Sequence, residues 1–209
     1  MDIRAPQLAD QADYLPLTES LNSGQSHCRV RLEQVEWCGT RAADLRFEEA
    51  VFTSAVLRNT AWQGLNLVDA RLKGCDVANA DWQHAHMHRA HFESCNLTGL
   101  NLSEAQINST RFDRAKMLLA QFSQAKLTAC AFRECNLEQA DFTGADLRHV
   151  VFEGCKLFRA RFFGANLEGA DFRTSDLTEL GVTAHDLRGA IVDAAQVLSL
   201  APLLGVIVK

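Results

Sequence analysis

Ala140-Asp141-Phe142-Thr143-Gly144-Ala145-Asp146-Leu147-Arg148-His149 reads as two copies of one five-residue block: small, polar, large apolar, polar, corner. Counting by fives from Phe142, the large apolar residue returns at every step back to Leu32 and on to Val197, a run of 34 positions in which only Ala42 is not large. Two residues before it stands a small one, as at Ala115, Ala120, Ala125, Ala160, Ala165 and Ala170. Every Asp, Glu, Lys and Arg from Arg29 onward falls in the other three positions, which are therefore expected to face water. A period of 3.6 or 2.0 would carry those charges into the interior within two or three blocks, whereas a chain that turns once per five residues keeps them out. Each block is a short extended step followed by a corner. The corner is expected two places after the large residue, where Gly39, Gly64, Gly74, Gly99, Gly144, Gly154, Gly164, Gly169 and Gly189 all fall, because a turn of this kind needs a residue that tolerates positive φ.

Bulk properties bound what such a chain can do. Its 209 residues carry a formal charge of -5, with no basic excess to hold nucleic acid directly. Neither a basic leader followed by an apolar run nor ~18 uninterrupted apolar residues occurs, so the chain reads as cytoplasmic and unanchored. Seven cysteines are an odd number without a Cys-x-x-Cys pair, and Cys75, Cys95, Cys130, Cys135 and Cys155 occupy small inward positions, so they read as buried apolar residues. No phosphate-cradling loop or nucleophile elbow is present, and no cofactor is expected; the chain does not read as an enzyme. His84, His86, His88 and His91 suggest a metal cluster, but exposed turn histidines are the simpler account and no metal site is assigned.

The blocks Ala140-Asp141-Phe142-Thr143-Gly144, Ala145-Asp146-Leu147 and Ala165-Asn166-Leu167-Glu168-Gly169 resemble the A(D/N)LXX signature of pentapeptide-repeat proteins. That resemblance implies an all-β fold, a right-handed quadrilateral β-helix with four blocks per coil and about eight coils, followed by a short C-terminal α-helix. At ~4.8 Å per coil the rod would be about 40 Å long. Residues twenty apart would stack, aligning Phe112, Phe132, Phe152 and Phe172 on one face and Phe122, Phe142 and Phe162 on the opposite one. Trp62 and Trp82 share a column with Ala42, whose small side chain is expected to make room for indole.

Three regions follow: a capping segment at 1–29 covering the open first coil, the repeat helix at 30–192, and a helix and tail at 193–209. Asp193 and Gln196 suit an N-cap and its capping-box partner, Pro202 should end or kink the helix near Ala201, and Val206-Ile207-Val208 could pair as a strand. This ending, with Asp186-Leu187-Arg188-Gly189 and Leu203-Leu204-Gly205-Val206-Ile207-Val208, is similar to that of Qnr-type quinolone-resistance proteins and the related MfpA type. The resemblance implies a homodimer joined tail to tail through Leu200, Leu203, Leu204, Val206, Ile207 and Val208, and a rod that mimics duplex DNA, binds DNA gyrase or topoisomerase IV and protects it from poisons. Qnr proteins commonly carry two loops that break the repeat; the frame here is unbroken, as in the MfpA type.

A DNA mimic needs carboxylates along a rod. From Arg133 to Asp193 there are eleven acids against seven bases, whereas the preceding stretch from Arg31 to Lys126 balances eleven with eleven. The expected partner-binding acids are Glu134, Glu138, Asp141, Asp146, Glu153, Glu168, Asp171 and Asp176. Leu118, Leu119, Phe158 and Phe163 break the outward-polar rule and suggest an apolar contact patch. The alternative is a non-enzymatic scaffold or adaptor for another protein partner.

Overall fold

The computed structural model describes residues 3–8, 15–16 and 21–204. The chain winds as a parallel β-solenoid in which each residue pairs with those twenty before and after it. One column runs Ser26, Arg46, Asn66, His86, Gln106, Lys126, Asp146 and Asn166, eight successive levels in unbroken register. Four faces enclose one interior. We number them by their inward residues: the first holds Trp62, Trp82, Phe122, Phe142 and Phe162; the second Phe47, Leu67, Met87 and Ile107. The third holds Phe92, Phe112, Phe132, Phe152 and Phe172, and the fourth Leu57, Val77, Leu97 and Leu137. All of these are buried.

The faces differ in backbone. The third carries an eight-stranded parallel sheet and the second a six-stranded one, whereas on the first and fourth the coils meet mainly through single bridges between tight turns. Corners sit where the glycines mark them. From Gly24 to Gly189 every fifth residue has positive φ, ten glycines and twenty-two others, with only Thr174 and Ala184 excepted. Non-glycine residues in this region cost roughly 1–2 kcal/mol each. The backbone hydrogen bonds to the coils on either side hold them there, as where Leu119 N–H donates to the Glu138 carbonyl at 3.1 Å.

Packing inside the rod is a consequence of the twenty-residue repeat. Phenyl rings in one column stack at 4.8–5.0 Å, nearly parallel, which is the spacing of neighbouring strands. The columns of the first and third faces then meet edge to face at 5.7–6.4 Å across the interior. Each phenyl thus satisfies both geometries its quadrupole prefers. Trp62 and Trp82 stack at 5.9 Å, and Trp37 reaches in edge-on to Trp62 above buried Ala42. Their indole N–H groups donate to Thr40 and Thr60 Oγ1, each at 3.1 Å. These threonines stand where alanine is usual, 22 residues before the tryptophan each serves.

The five inward cysteines are buried, and each thiol donates to a carbonyl of the coil below, for example Cys135 Sγ to the Phe112 carbonyl at 3.2 Å. Burial pushes the Cys130 thiol up to about 12. Ser175 replaces cysteine in the same column and makes the same bond, to the Phe152 carbonyl at 2.9 Å.

The coil register begins earlier than residue 30: Ser26–Cys28 pairs with Arg46–Glu48, and His27 stacks on Phe47 at 5.2 Å in the place of a large apolar residue. Leu15–Pro16 adds an edge strand beyond Val30–Arg31. The segment at 3–8 makes a long-range hydrogen bond. It reaches two coils up the side of the rod, where Gln7 N–H donates to Asp69 at 2.8 Å. At the other end, helix α1 (Ala194–Leu200) starts from an Asp193 N-cap with a complete capping box and ends at Ala201, followed by a 3-10 turn over Ala201–Leu204. Gln196 is buried and donates to the carbonyls of Phe172 and Ser175 at 2.6 and 2.7 Å, doing for the last coil what a further coil would have done. Val206 to Val208 lie outside the described residues. No helix among the described residues is long and apolar enough to cross a membrane.

Candidate functional surface

The residue before each large apolar one is often Asp or Asn because its side chain closes the turn. Asp141 accepts from Thr143 N–H at 2.9 Å, Asp146 from Arg148 at 3.4 Å, Asp171 from Arg173 at 3.1 Å and Asp176 from Thr178 at 3.0 Å. Asn101, Asn136 and Asn166 make the same bond at 3.0, 3.0 and 3.3 Å. Half of the sequence-identified acids are therefore built into the coil as Asx turns. Their outer oxygens remain available to charge.

That charge is partly answered. Asp141 pairs with Arg161 at 2.6 Å, Asp146 with Arg148 at 2.7 Å, Asp171 with Arg173 at 2.7 Å and Glu153 with Arg133 at 3.0 Å. For Asp141, burial raises the pKa but the Thr143 bonds and the Arg161 charge outweigh it and hold the carboxyl below its ordinary value. Asp146 and Asp171 are lowered chiefly by their arginines, and Asp176 by the Thr178 hydroxyl. Among the described residues Glu134, Glu138, Glu168 and Asp176 form no ion pair, although Lys156 in the coil below helps to lower the Asp176 pKa.

The eight acids do not form one face. Asp141 lies on the first face, Asp146 and Glu168 on the second, Glu153 and Asp171 on the third with Glu134 at its far corner, and Glu138 and Asp176 on the fourth. Blocks five apart occupy neighbouring sides, so only residues twenty apart can stack. The acids encircle the C-terminal half of the rod.

The outward apolar residues also divide. Leu119 and Phe163 are 50% and 45% exposed, while Leu118 and Phe158 are half-buried. Leu118 and Phe158 share the fourth face with Glu138 between them; Phe163 belongs to the first. Phe163 lies over Gly181, where a Cβ would come within 3.3 Å of its ring, and the Arg159 guanidinium covers the Phe158 ring at 4.8 Å. A second apolar surface is continuous. Beneath α1 a groove of about 220 Å³ is lined by Leu187, Val192, Val197, Leu200 and Leu203, and Val197, Leu198 and Ile191 are 53%, 60% and 41% exposed beside it. The side chain of Leu204 lies outside the described residues.

Two networks escape the outward-polar rule. Asp69 is buried and bonds Arg89 through both carboxylate oxygens while accepting from Gln7. Burial raises its pKa, but those bonds prevail and lower it. Asp113, also buried, accepts from His91 at 2.6 Å and Arg111 at 3.2 Å, and Arg71 and Arg114 reach Glu93 alongside. Burial depresses the His91 pKa against the pull of Asp113. The four clustered histidines point different ways: His84 toward Glu104 from a corner, His86 and His88 from the second face, His91 from the third. Among the described residues no three His, Cys, Asp or Glu side chains are grouped to hold a metal.

Two descriptions of the same repeat match the chain. A pentapeptide repeat region matches residues 85–162, and pentapeptide repeats of eight copies match 50–85, 66–99 and 155–192, so the matches run without a gap from 50 to 192. No curated protein matches. Among solved structures, the chain is similar to full-length QnrB1, a plasmid-mediated fluoroquinolone resistance protein, at 20% identity over 87% of this chain and 100% of that one, with a TM-score of 0.35. It is also similar to HetL, a pentapeptide repeat protein involved in heterocyst differentiation regulation from the cyanobacterium Nostoc sp. strain PCC 7120, at 21% identity over 78% and 83%, TM-score 0.36. Rfr23, from the cyanobacterium Cyanothece 51142, is 19% identical over 59% and 88%, TM-score 0.31. At these values the likeness is one of coil architecture alone.

Proposed function

Because the chain belongs to the pentapeptide-repeat family, we propose that it works by offering its outer surface to a protein, as a DNA-mimicking rod that binds DNA gyrase or topoisomerase IV. In this reading it acts in the cytoplasm, without catalysis or cofactor. It protects the enzyme from poisons such as fluoroquinolones, as antibiotic resistance or self-immunity.

The observation that carries the reading is where the charge lies. Eleven acids and seven bases between Arg133 and Asp193 give -4 of the chain's total of -5, and the acids encircle the rod as phosphates encircle a duplex. That acidic half ends at the continuous apolar groove under α1. A second copy seated there through Leu200, Leu203, Leu204, Val206, Ile207 and Val208 would put the carboxylates at the centre of a double-length rod.

The experiment is light scattering followed by capture of purified gyrase subunits. The intact 23.1 kDa chain should run as a dimer, become monomeric when residues after Asp193 are removed, and retain gyrase only at low salt, since such contacts are screened over ~8 Å at physiological ionic strength. A monomeric intact chain that captures no gyrase at any salt would sink the proposal. One observation favours the alternative of an adaptor for another protein: Asp141, Asp146, Glu153 and Asp171 are already paired with arginine. Retention of some other protein with undiminished strength in high salt would decide for it.

A further inference from the structure

The second face carries a feature that the acidic rod does not use. Between the columns of Asn66, His86, Gln106 and Lys126 on one side and of His88 and Asn108 on the other runs an open trough of about 390 Å³. Its ends are closed by ion pairs that cross it, Arg46 to Glu48 at 2.9 Å and Arg148 to Asp146 at 2.7 Å. Over the four coils between them no ion pair crosses among the described residues.

The backbone explains why. On the first and fourth faces the aspartates at the position before the large apolar residue are bonded within their own coil or to its neighbour, as Asp76 accepts from Ala78 and Asn96, and Asp81 from Asn101. Here the same position lies in a regular strand, Asn66–Val68, His86–His88, Gln106–Asn108 or Lys126–Thr128, and its side chain simply stands out from the sheet. Among the described residues Asn66, His86, Gln106 and Lys126 make no hydrogen bond through their side chains. The residues lining the trough include no carboxylate. The acids nearest it are committed elsewhere: Glu48 to Arg46, Asp69 to Arg89, Asp146 to Arg148, and Glu104 faces His84.

We propose that this trough binds an extended acidic peptide segment of a partner protein, laid along the rod axis. The amides of Asn66 and Gln106, two coils apart with His86 between them, can both donate to and accept from a peptide backbone, and Lys126 supplies a fixed positive charge at one end of the lining to meet a carboxylate. Four coils span about 14 Å at ~4.8 Å per step, the reach of four or five extended residues at roughly 3.3 Å each. A single lysine among neutral amides, flanked by Glu48 and Asp146, is too little positive charge for a polyphosphate strand. The site is independent of the topoisomerase reading, since it lies on the charge-balanced half of the chain.

The test uses the full chain and a fluorescein-labelled Ser-Asn-Ser-Asn-Ser-Asn-Glu peptide, with its one side-chain carboxylate at the end meant for Lys126, followed by fluorescence anisotropy and by the NMR signals of the Asn66 and Gln106 side-chain amides. Saturable binding should shift both amides. The double variant Lys126→Glu, Gln106→Ala should weaken it at least tenfold, and Lys116→Glu on the fourth face should leave it unchanged, with circular dichroism confirming that both variants are folded. The proposal is overturned if the peptide fails to saturate below millimolar concentration, if the double variant binds as well as the parent, or if a Lys-Ser peptide or a single-stranded oligonucleotide of equal length binds more tightly.

Discussion

Replacing Asp141, Asp146, Asp171 and Asp176 together by asparagine, and separately by alanine, tests what those side chains do. All four accept a backbone N–H from two residues on. Asparagine already makes that bond at 96, 101, 136 and 166, so the asparagine set removes four charges and keeps four turns. The alanine set removes both. Loss of the arginine pairs is common to the two sets and worth little where the arginines are more than half exposed, so the difference between them isolates the turn bonds at about 1 kcal/mol each. Four nearly independent coil turns sum to roughly 4 kcal/mol, which for a domain of this size is a fall of roughly 8–16 °C in Tm. Thermal denaturation followed by circular dichroism should place the asparagine set that far above the alanine set. The same folded asparagine protein, tried for inhibition of gyrase supercoiling across a salt series, should have lost most of its effect. Equal melting of the two sets would refute the turn argument, and undiminished inhibition by the asparagine set would refute mimicry through these charges.

Three further outcomes are expected. Phe142→Ala removes a ring stacked at 4.8 Å on Phe122 and Phe162 and met edge-on by Phe132 and Phe152; urea denaturation should show a loss of roughly 3–5 kcal/mol, and a loss under 1 would contradict the inward register. Thr60→Val strands the buried Trp82 indole N–H and should cost about 1–3 kcal/mol with a shift in tryptophan emission, whereas an unchanged midpoint would mean the bond is dispensable. His91 has a folded pKa depressed by burial, so as pH falls below about 6.5 the unfolded chain takes up the proton first and stability is lost. Below about 4 the lowered carboxyls of Asp69, Asp141 and Asp146 continue the decline in the same direction. Urea midpoints should therefore fall between pH 7.5 and 5.5 for the parent and much less for His91→Gln, and parallel curves would count against the buried histidine.

The coil was legible because its rule is local and repeated. Ala140 to Leu147 contains the whole pattern, and a step of twenty then places Phe132 over Phe112 and Trp82 over Trp62 without further information. Gln196 and Asp193 were legible for the same reason, since a capping box is a spacing of three. What the spacing could not show is contact that leaves the lattice. Gln7 meets Asp69 across 62 residues from a segment that has no period, and nothing in the block marks Asp69 or Asp113 as buried beneath arginine and histidine. The acids were found as residues but not as a surface, because membership of a half of the chain says nothing about side until the block number is taken modulo four. Thr40 and Thr60 carried a readable signal, a hydroxyl in an alanine column 22 residues ahead of an indole, which only the three-dimensional arrangement makes meaningful.

The corner at every fifth residue turns length into angle. Inserting twenty residues would lengthen the rod by one level and leave every column aligned. Inserting or deleting five would rotate everything downstream by a quarter turn, carrying Asp146 out from above Lys126 and splitting the phenyl stack of the third face into two stacks on adjacent sides. The interior would tolerate this, since all four sides accept large apolar residues. The outside would not, since a partner that grips two levels at once reads the phase between them. A five-residue change thus re-keys this surface at the cost of the stacks it splits, and an unbroken frame from Leu32 to Val197 keeps one orientation along the whole length.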